Sequence, residues 1–352
     1  MRGGCHLVGF AARTAVGRSA QAAAAAVRAG ISRIEQHPRW VDLRGEPIRG
    51  AFDHDFGDDM PCPERMLEMA SAVLGDLSRI TELSCPILLA LPEARPGFGE
   101  DDARDLERRL RANPALRKGA TVRTVARGHA GGLLALRLAT EHLTGDDDGR
   151  CIVVGVDSYF DRRTLTWLAH NRQLSGPGIR SGFFPGEGAC AVLVAAQHAR
   201  RSLGWPSLAT VRSVGVAREQ RLIKTDTDNL GEGLTEAVTA AVRTSGEGPI
   251  DSVYCDINGE RYRTEEWGFT ILRTAQWFRD PAGYVSASAC WGDLGAASGP
   301  AAAMLACAAW GRGYAPGPRA LVFGGSEAGL RACAVLERTA GPNPNPKRRA
   351  LH

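Results

Sequence analysis

The sequence predicts an α/β protein built from two successive halves with a similar order of elements. Short apolar segments typical of strands buried on both faces, such as CIVVGV at 151–156, alternate with segments that have the apolar spacing of helices. The element order of the first half returns in the second, without a repeat at the level of residues. At 352 residues we expect one large domain or two fused halves.

The first half begins with a strand, a turn and a helix. Residues 5–10 are short and β-prone, and the alanine-rich segment 18–30 is a strong helix former that Gly30 closes. Residues 37–63 have the composition of a loop with a short hairpin. The elements predicted after them are a helix from about Pro63 to Glu82, a strand at 86–93, an amphipathic helix at 101–116, a strand at 120–125, a helix at 133–143, a turn at 146–149, and strands at 151–159 and 182–195.

The second half repeats the alternation of strands and helices. The predicted elements are a strand at 207–217, a helix from about Glu232 to Thr244, a strand at 251–259, a helix from Thr264 to Phe278, a short strand at 284–289, a small-residue helix at 295–310, and strands at 319–326 and 332–339. We therefore divide the chain into an N-terminal half at 1–202 and a C-terminal half at 203–339. The last segment, 340–352, has the composition of a disordered tail.

Composition argues against several classes of partner. The 43 basic and 39 acidic residues give a net charge of +4 and are mixed along the chain, so no nucleic-acid and no membrane partner is indicated. No apolar run reaches transmembrane length, and the first residues lack the apolar core of a signal peptide. The nine cysteines form no CxxC pair and several lie in apolar runs, which predicts free buried thiols, no metal site, no cofactor and a cytoplasmic location.

Four blocks of sequence point to a known family by their order and spacing. They are VGFAARTAVGRSAQAAAAAVRAGIS at 8–32, VVGVDSYFDRRTLTWL at 153–168 with GFFPGEGACAVLVA at 182–195, GDLGAASGPAAAM at 292–304, and LVFGGSEAGLRACAVLE at 321–337. Together they resemble the β-ketoacyl synthase branch of the thiolase superfamily over most of residues 1–338. The resemblance implies the thiolase fold, with duplicated halves in five layers (α/β/α/β/α), two buried helices between two mixed sheets, a homodimer, and an active site where the halves meet.

The resemblance also implies that the catalytic set of the family has been replaced. Those enzymes use a cysteine at the start of a buried helix and two histidines. The cysteine position falls on His129 in VARGHAGGLLAL, the first histidine on Asn258 in DINGERYRTEEWGF, and the second on Asp293 in GDLGAASG. An imidazole cannot hold a stable acyl group in place of a thiolate, and an anion at 293 opposes the developing enolate. We therefore expect no condensing activity.

Two interpretations of these three residues stay open. His129 could be a general base oriented by Asp293, with Asn258 as an oxyanion donor, which suits an acyltransferase or acyl hydrolase. Alternatively His129 fills the volume that the cysteine left. Cys290 or Cys255 could supply a displaced thiol, although cysteines in apolar segments are more often inert.

Further positions near the expected pocket are candidates for ligand contacts. By the resemblance they are Glu260, Cys290, Gly324 and Gly325. Glu260 belongs to a charged run whose arginines, Arg261 and Arg263, either bind a polar ligand or partner or cap a helix in solvent.

The sequence therefore predicts a catalytically degenerate β-ketoacyl synthase-like protein that binds a protein partner or an acyl-type ligand as an adaptor or scaffold. The possible partners are an acyl carrier protein and a secreted effector. A subunit resembling a chain-length factor, working beside a catalytic synthase, is the other alternative. The family pairs one strand with its two-fold mate, and here that strand is TVRTV at 121–125, which predicts a homodimer.

Overall fold

Eleven strands and ten α-helices alternate along the residues that the computed structural model describes, 4–143, 149–223, 225 and 228–339. The strands are β1 (Cys5–Thr14), β2 (Glu35–Val41), β3 (Pro47–Gly50), β4 (Pro86–Leu91), β5 (Thr121–Ala126), β6 (Arg150–Ser158), β7 (Glu187–Ala196), β8 (Ala209–Arg218), β9 (Ser252–Cys255), β10 (Arg319–Gly325) and β11 (Leu330–Glu337). The helices are α1 (Ala20–Arg28), α2 (Cys62–Leu77), α3 (Glu100–Arg111), α4 (Gly131–His142), α5 (Arg162–His170), α6 (Gln197–Ser202), α7 (Glu232–Thr244), α8 (Arg261–Thr274), α9 (Ser288–Trp291) and α10 (Ser298–Gly311).

The strand order shows the predicted duplication directly. The main sheet runs β5-β4-β6-β7-β1-β8-β11-β10-β9. Outward from β1, strand β7 is antiparallel to β1, β6 is antiparallel to β7, and β4 is parallel to β6. Outward from β8, strand β11 is antiparallel to β8, β10 is antiparallel to β11, and β9 is parallel to β10. The two halves therefore share this order of strands, and the counterpart of β5 in the second half is only the parallel bridge between Tyr254 of β9 and Val285. The boundary we placed at residue 202 falls between α6 and β8 and stays a prediction.

The resemblance implied two mixed sheets, and the structure connects them at one point. Hydrogen bonds join the halves into one nine-stranded sheet, because Cys5–Leu7 of β1 pairs with Ala209–Val211 of β8 while β1 also pairs with β7. The five predicted layers are nevertheless present. Helices α2 and α3 cover the first half, α7 and α8 cover the second, and α4 and α10 lie between them in contact with strands of both.

Small residues allow α4 and α10 to approach each other closely. A Cβ atom added at Gly132 would clash with Pro300, and one added at Gly299 would lie 2.9 Å from Leu133 Cγ. Helix α10 is buried around most of its circumference, which explains its run of alanines. The close approach places the N-terminal ends of both helices at the centre of the molecule, where the candidate site lies.

Two other sequence predictions have different outcomes. The segment 284–289 forms no strand but a single bridge between Tyr254 and Val285 followed by α9, since the hydroxyls of Ser286 and Ser288 both donate to the carbonyl of Ile257. The predicted tail at 340–352 lies outside the described residues, and so does most of the predicted turn at 146–149.

The strand expected to form the dimer is at the free edge of the sheet. Helix α3 already covers part of that edge: Arg111 Nη2 donates to the Val122 carbonyl at 2.9 Å, and Glu107 Oε2 accepts from the Thr124 N–H at 3.0 Å. These two contacts blunt an edge that would otherwise be open to another strand.

Candidate functional site

His129 lies in a tight turn between β5 and α4. The turn, Gly128–Ala130, begins with a glycine at φ +59°, where a side chain would be strained and its Cβ would lie 3.2 Å from Glu93 Cγ. The Ser326 hydroxyl, which follows β10, accepts from the Ala130 N–H at 2.9 Å and donates to the Arg127 carbonyl. The second half of the chain therefore holds the turn that presents His129, whose side chain is buried.

The Asp293 carboxylate faces His129 from the segment between α9 and α10. His129 Nε2 lies 2.8 Å from Oδ1 and 3.0 Å from Oδ2, so this nitrogen carries the proton and donates it. Oδ1 also accepts from the Gly295 N–H at 2.6 Å and from the Tyr159 hydroxyl at 3.2 Å, and Oδ2 accepts from Asn258 Nδ2 at 2.5 Å. The carboxylate is saturated with internal hydrogen bonds.

Asn258 and Glu260 belong to the loop between β9 and α8. The two amide protons of Asn258 go to Asp293 and to Glu260 Oε2, the latter at 3.2 Å, and its carbonyl accepts from the Glu260 N–H at 3.0 Å. Glu260 Oε1 accepts from Gln173 Nε2 at 3.0 Å. Both side chains are buried, and their polar atoms are hydrogen-bonded to other residues of the chain.

Arg263 joins these groups into one network from the first turn of α8. Its Nη1 donates to Asp256 Oδ2 and to the Gly325 carbonyl, both at 2.8 Å, and its Nε donates to Glu260 Oε2 at 3.2 Å. Its Nη2 stands 3.3 Å from His129 Nε2. Arg263 is buried, so its positive charge is balanced by carboxylates and not by water.

The electrostatics of the site follow from this packing. Burial is the largest single effect on the pKa of His129 and lowers it, as does Arg263, but the charge and hydrogen bond of Asp293 together with the charge of Asp256 outweigh both, and the net pKa lies above the usual value. Burial alone would raise the pKa of Asp293, but His129, Arg263 and Asn258 together hold it well below its usual range. Burial raises the pKa of Tyr159 well above its usual value, so it is a neutral donor. Both shifts favour the charged pair, an imidazolium beside a carboxylate, over the neutral pair.

The free space at the site is very small. A cavity of about 20 Å³ lies against Asp256, Asn258 and Asp293 and is closed by residues of α9 and α10. That volume holds about one water molecule.

The predicted ligand-contact residues do not line this cavity. The Glu260 carboxylate is used by Asn258, Gln173 and Arg263, and Cys290 is buried in α9. Gly324 packs under the His129 carbonyl, where an added Cβ would be 3.1 Å from that oxygen, and the Gly325 N–H donates to Asp256 at 2.9 Å. The two glycines make room for the network and do not contact a pocket.

The thiols are not activated. Burial raises the pKa of Cys290, and burial also raises that of Cys255, whose Sγ contacts the Val285 carbonyl at 3.8 Å. All nine cysteines are buried and unpaired by disulfides. A low thiol pKa is what makes a cysteine a nucleophile, so neither position has the environment of a displaced catalytic thiol.

Sequence reasoning did not find Asp256 and Tyr159, and it left the role of Arg263 open. Asp256 directly follows β9 and Tyr159 directly follows β6. A polar residue immediately after a buried strand is the signal that could have singled them out, because the ends of buried strands are where side chains from separate segments meet.

Solved structures with this architecture are found among the ketosynthases. A ketosynthase from module 6 of the bacillaene synthase of Bacillus subtilis 168 has a TM-score of 0.79 and 15% identity, over 96% of this chain and 72% of that chain. The ishigamide ketosynthase/chain length factor has a TM-score of 0.81 and 15% identity, over 97% of this chain and 100% of that one. An oxazolomycin ketosynthase domain from Streptomyces albus JA3453 has a TM-score of 0.73 and 18% identity, over 98% of this chain and 75% of that one. The chain has the thiolase-like fold of the ketosynthases.

This likeness confirms the fold predicted from the four sequence blocks. Identities of 15–18% support the fold and leave the chemistry to the residues of this ketosynthase-like chain. No protein-family model and no curated protein matches the sequence. Within the described ranges, no helix is long and apolar enough to cross a membrane, and no group of histidine, cysteine and acidic side chains could hold a metal ion.

Proposed function

We propose that this ketosynthase-like chain does not catalyse condensation and works by binding, as an adaptor or scaffold for a protein partner or an acyl-type ligand. One observation carries the proposal: the buried Asp293 carboxylate accepts hydrogen bonds from four groups beside a cavity of about 20 Å³. A site whose polar groups are all paired internally, with room for about one water molecule, has no space for an acyl chain.

The charge of the site also opposes condensation. A condensing enzyme needs a reactive thiolate and donors that stabilise a developing enolate. Here the pKa of Asp293 is held low by His129, Arg263 and Asn258 against the effect of burial, so the group facing such an enolate is an anion. Like charges at close range in a buried site repel by several kcal/mol, on the order expected for a low effective dielectric.

The 2.8 Å contact between His129 and Asp293 supports a second candidate, an acyltransferase or acyl hydrolase. In that case Asp293 would orient His129 as a general base, and Asn258 would donate to an oxyanion. Both amide protons of Asn258 are already given to Asp293 and Glu260, which leaves none for a substrate. We therefore favour the non-catalytic function.

A chain-length-factor-like subunit is the remaining alternative. Its support is the ishigamide ketosynthase/chain length factor, which this chain matches over 100% of that chain's length. Such a subunit would need a catalytic synthase as its partner. A pull-down with this chain as bait separates the candidates, since a synthase supports this alternative, an acyl carrier protein supports the acyltransferase or hydrolase, and a secreted effector supports the adaptor.

Incubation with an octanoyl thioester should leave the protein unmodified by intact mass spectrometry. The reason is that Cys255 and Cys290 have raised pKa values through burial and His129 holds no stable acyl group. The His129→Cys variant is the more stringent test, because even a thiol placed at the start of α4 should stay unmodified if the site is closed. An active ketosynthase treated in parallel is the positive control, and acylation of either wild type or the H129C variant would contradict the proposal.

We also propose that the chain is a homodimer through β5. Pairing of two β5 edges would replace the side-chain contacts of Glu107 and Arg111 with backbone hydrogen bonds and would cover the adjacent 420 Å³ groove, where Leu138 is 39% exposed. Arg111 is 57% exposed as a side chain, so displacing it costs little. Interfaces of this type bury on the order of 2,000 Å².

Light scattering at low micromolar concentration should report twice the monomer mass. Thr124→Pro should give a monomer, because the Thr124 N–H faces Glu107 at the free edge and not β4, so proline removes an outward donor without disturbing the β4–β5 ladder. Thr124→Val keeps the N–H and should remain a dimer. A wild-type monomer, or a T124P dimer, would mean that β5 is not the interface.

A further inference from the structure

A second cavity of this molecule is more than twenty times larger than the one beside Asn258 and Asp293. It is a groove of about 530 Å³ between α1 and α10, and it shares no lining residue with the 20 Å³ cavity. This volume is in the range of natural small-molecule sites, which are mostly apolar with a few polar groups.

The groove exists because both helices present small side chains to each other. Ala24 of α1 and Ala308 of α10 both line it, and Phe10, Met304 and Cys307 add apolar surface. Leu208 and Tyr314 stand at the rim, 37% and 38% exposed. Apolar surface left open to solvent is costly unless an apolar molecule covers it.

The charged groups of the groove have one sign. Arg28 and Arg312 line it, and within the part of the chain that the structure describes the lining contains no acidic residue. The Arg28 guanidinium lies 3.9 Å from the ring centroid of Tyr314, so an aromatic face and not a carboxylate holds it. The groove therefore complements a molecule with an apolar body and a negative head.

The chain's own C-terminal segment fits this groove poorly. Thr339, the last described residue, lies 2.5 Å from the Ser207 hydroxyl, next to Leu208 at the rim. Residues 340–352 carry Lys347, Arg348 and Arg349, which have the same charge as Arg28 and Arg312 and are therefore not complementary to the groove.

We propose that the groove between α1 and α10 binds a free medium-chain fatty acid, with its alkyl chain on the apolar surface and its carboxylate on Arg28 and Arg312. This inference goes beyond the proposed function because it names a class of ligand and the groove that binds it. It rests on the proposed function only in so far as a fatty acid would be the acyl-type ligand named there. The groove is independent of the His129 site.

Titration of the full-length protein with dodecanoate, followed by isothermal calorimetry below the micelle concentration, should show saturable binding. Dodecanol should bind more weakly, and the Arg28→Ala/Arg312→Ala double variant should bind dodecanoate roughly fivefold to tenfold more weakly, as expected for two partly exposed ion pairs. Ala308→Trp, which fills the groove, should abolish binding. Arg104→Ala, at an exposed position of α3, is the matched control and should bind as wild type.

No saturable binding of dodecanoate would overturn the inference, and so would equal binding of dodecanol or no effect of the double variant. If removal of residues 340–352 is needed before dodecanoate binds, the tail occupies the groove and the inference is also wrong. The double variant changes exposed side chains, so it stays informative even if A308W fails to fold. None of these outcomes alters the thioester result, which tests the His129 site alone.

Discussion

Replacement of Arg263 by methionine is expected to lower the free energy of unfolding by about 3–5 kcal/mol, the usual cost of removing one partner from a buried ion pair. Arg263 neutralises Asp256 and Glu260, and the side chains of all three are at most 5% exposed. Methionine keeps much of the volume but leaves both carboxylates buried without a cation. The measurement is urea-induced unfolding of wild type and variant at neutral pH.

Arg261→Ala provides the matched control for this experiment. Arg261 lies two residues earlier on the same helix, its side chain is 78% exposed, and it pairs with the exposed Glu265. Surface pairs of this kind contribute at most about 1 kcal/mol, so the R261A variant should unfold close to wild type. Similar losses in the R263M and R261A variants would show that the buried network does not stabilise the fold.

The fold could be predicted from sequence because its signals are local and repeated. Strand and helix patterns in each half follow the same order, and four blocks of residues occur at the spacing of the ketosynthase family. The continuity of the sheet could not be predicted, since it depends on three residues at the start of β1 reaching β8 across the molecule. The segment 284–289 was misassigned because its alternation suits a strand, whereas two serine hydroxyls tie it to Ile257.

The site was only partly predictable, for a different reason. His129, Asn258 and Asp293 could be placed through family motifs, each of which is a local pattern. Of the partners that determine their charge, Arg263 lies in a charged run that equally suits an exposed, capped helix, and Asp256 lies within the predicted strand at 251–259. Only the packing of α8 against β10 brings Arg263 to the Gly325 carbonyl and to His129. Burial of a charge is a property of tertiary structure and cannot be deduced from the charged run of sequence alone.

The network shows how the buried polar groups between α4 and α10 are satisfied by one another. Polar groups buried between α4 and α10 must be paired, because an unpaired buried group costs roughly 1–3 kcal/mol. The His129–Asp293 pair, with Asn258, Tyr159 and the Gly295 N–H, satisfies that requirement internally. A substrate would have to break these bonds before it could make its own, and this cost favours a chain that binds through its surface.

The pH dependence of stability should report the His129–Asp293 pair. The pKa of His129 is raised, against the opposing effect of burial, by Asp293. The stabilisation from this histidine is therefore complete below its ordinary pKa of about 6.5 and is lost as the pH rises through the higher folded value. The pKa of Asp293 is lowered, so its contribution is present above the ordinary value of about 3.9 and is lost as the pH falls towards the folded value. Both contributions to stability are therefore fully present between about pH 4 and pH 6.5.

Asp293→Asn is therefore expected to destabilise the protein most within that window, by about 3 kcal/mol or more, and less at higher pH. With the carboxylate gone, burial and Arg263 both disfavour the imidazolium, so the pKa of His129 should drop below its usual value in an NMR titration of the D293N variant. Asp59→Asn makes the same chemical change at a side chain that is 86% exposed. It should leave the pH dependence of stability and the NMR titration of His129 unchanged. A wild-type His129 with a depressed pKa, or a loss in the D293N variant that does not vary with pH, would show that the histidine is neutral beside Asp293. In that event a neutral imidazole would donate to the Asp293 carboxylate, and the negative charge of Asp293 would not be balanced by His129.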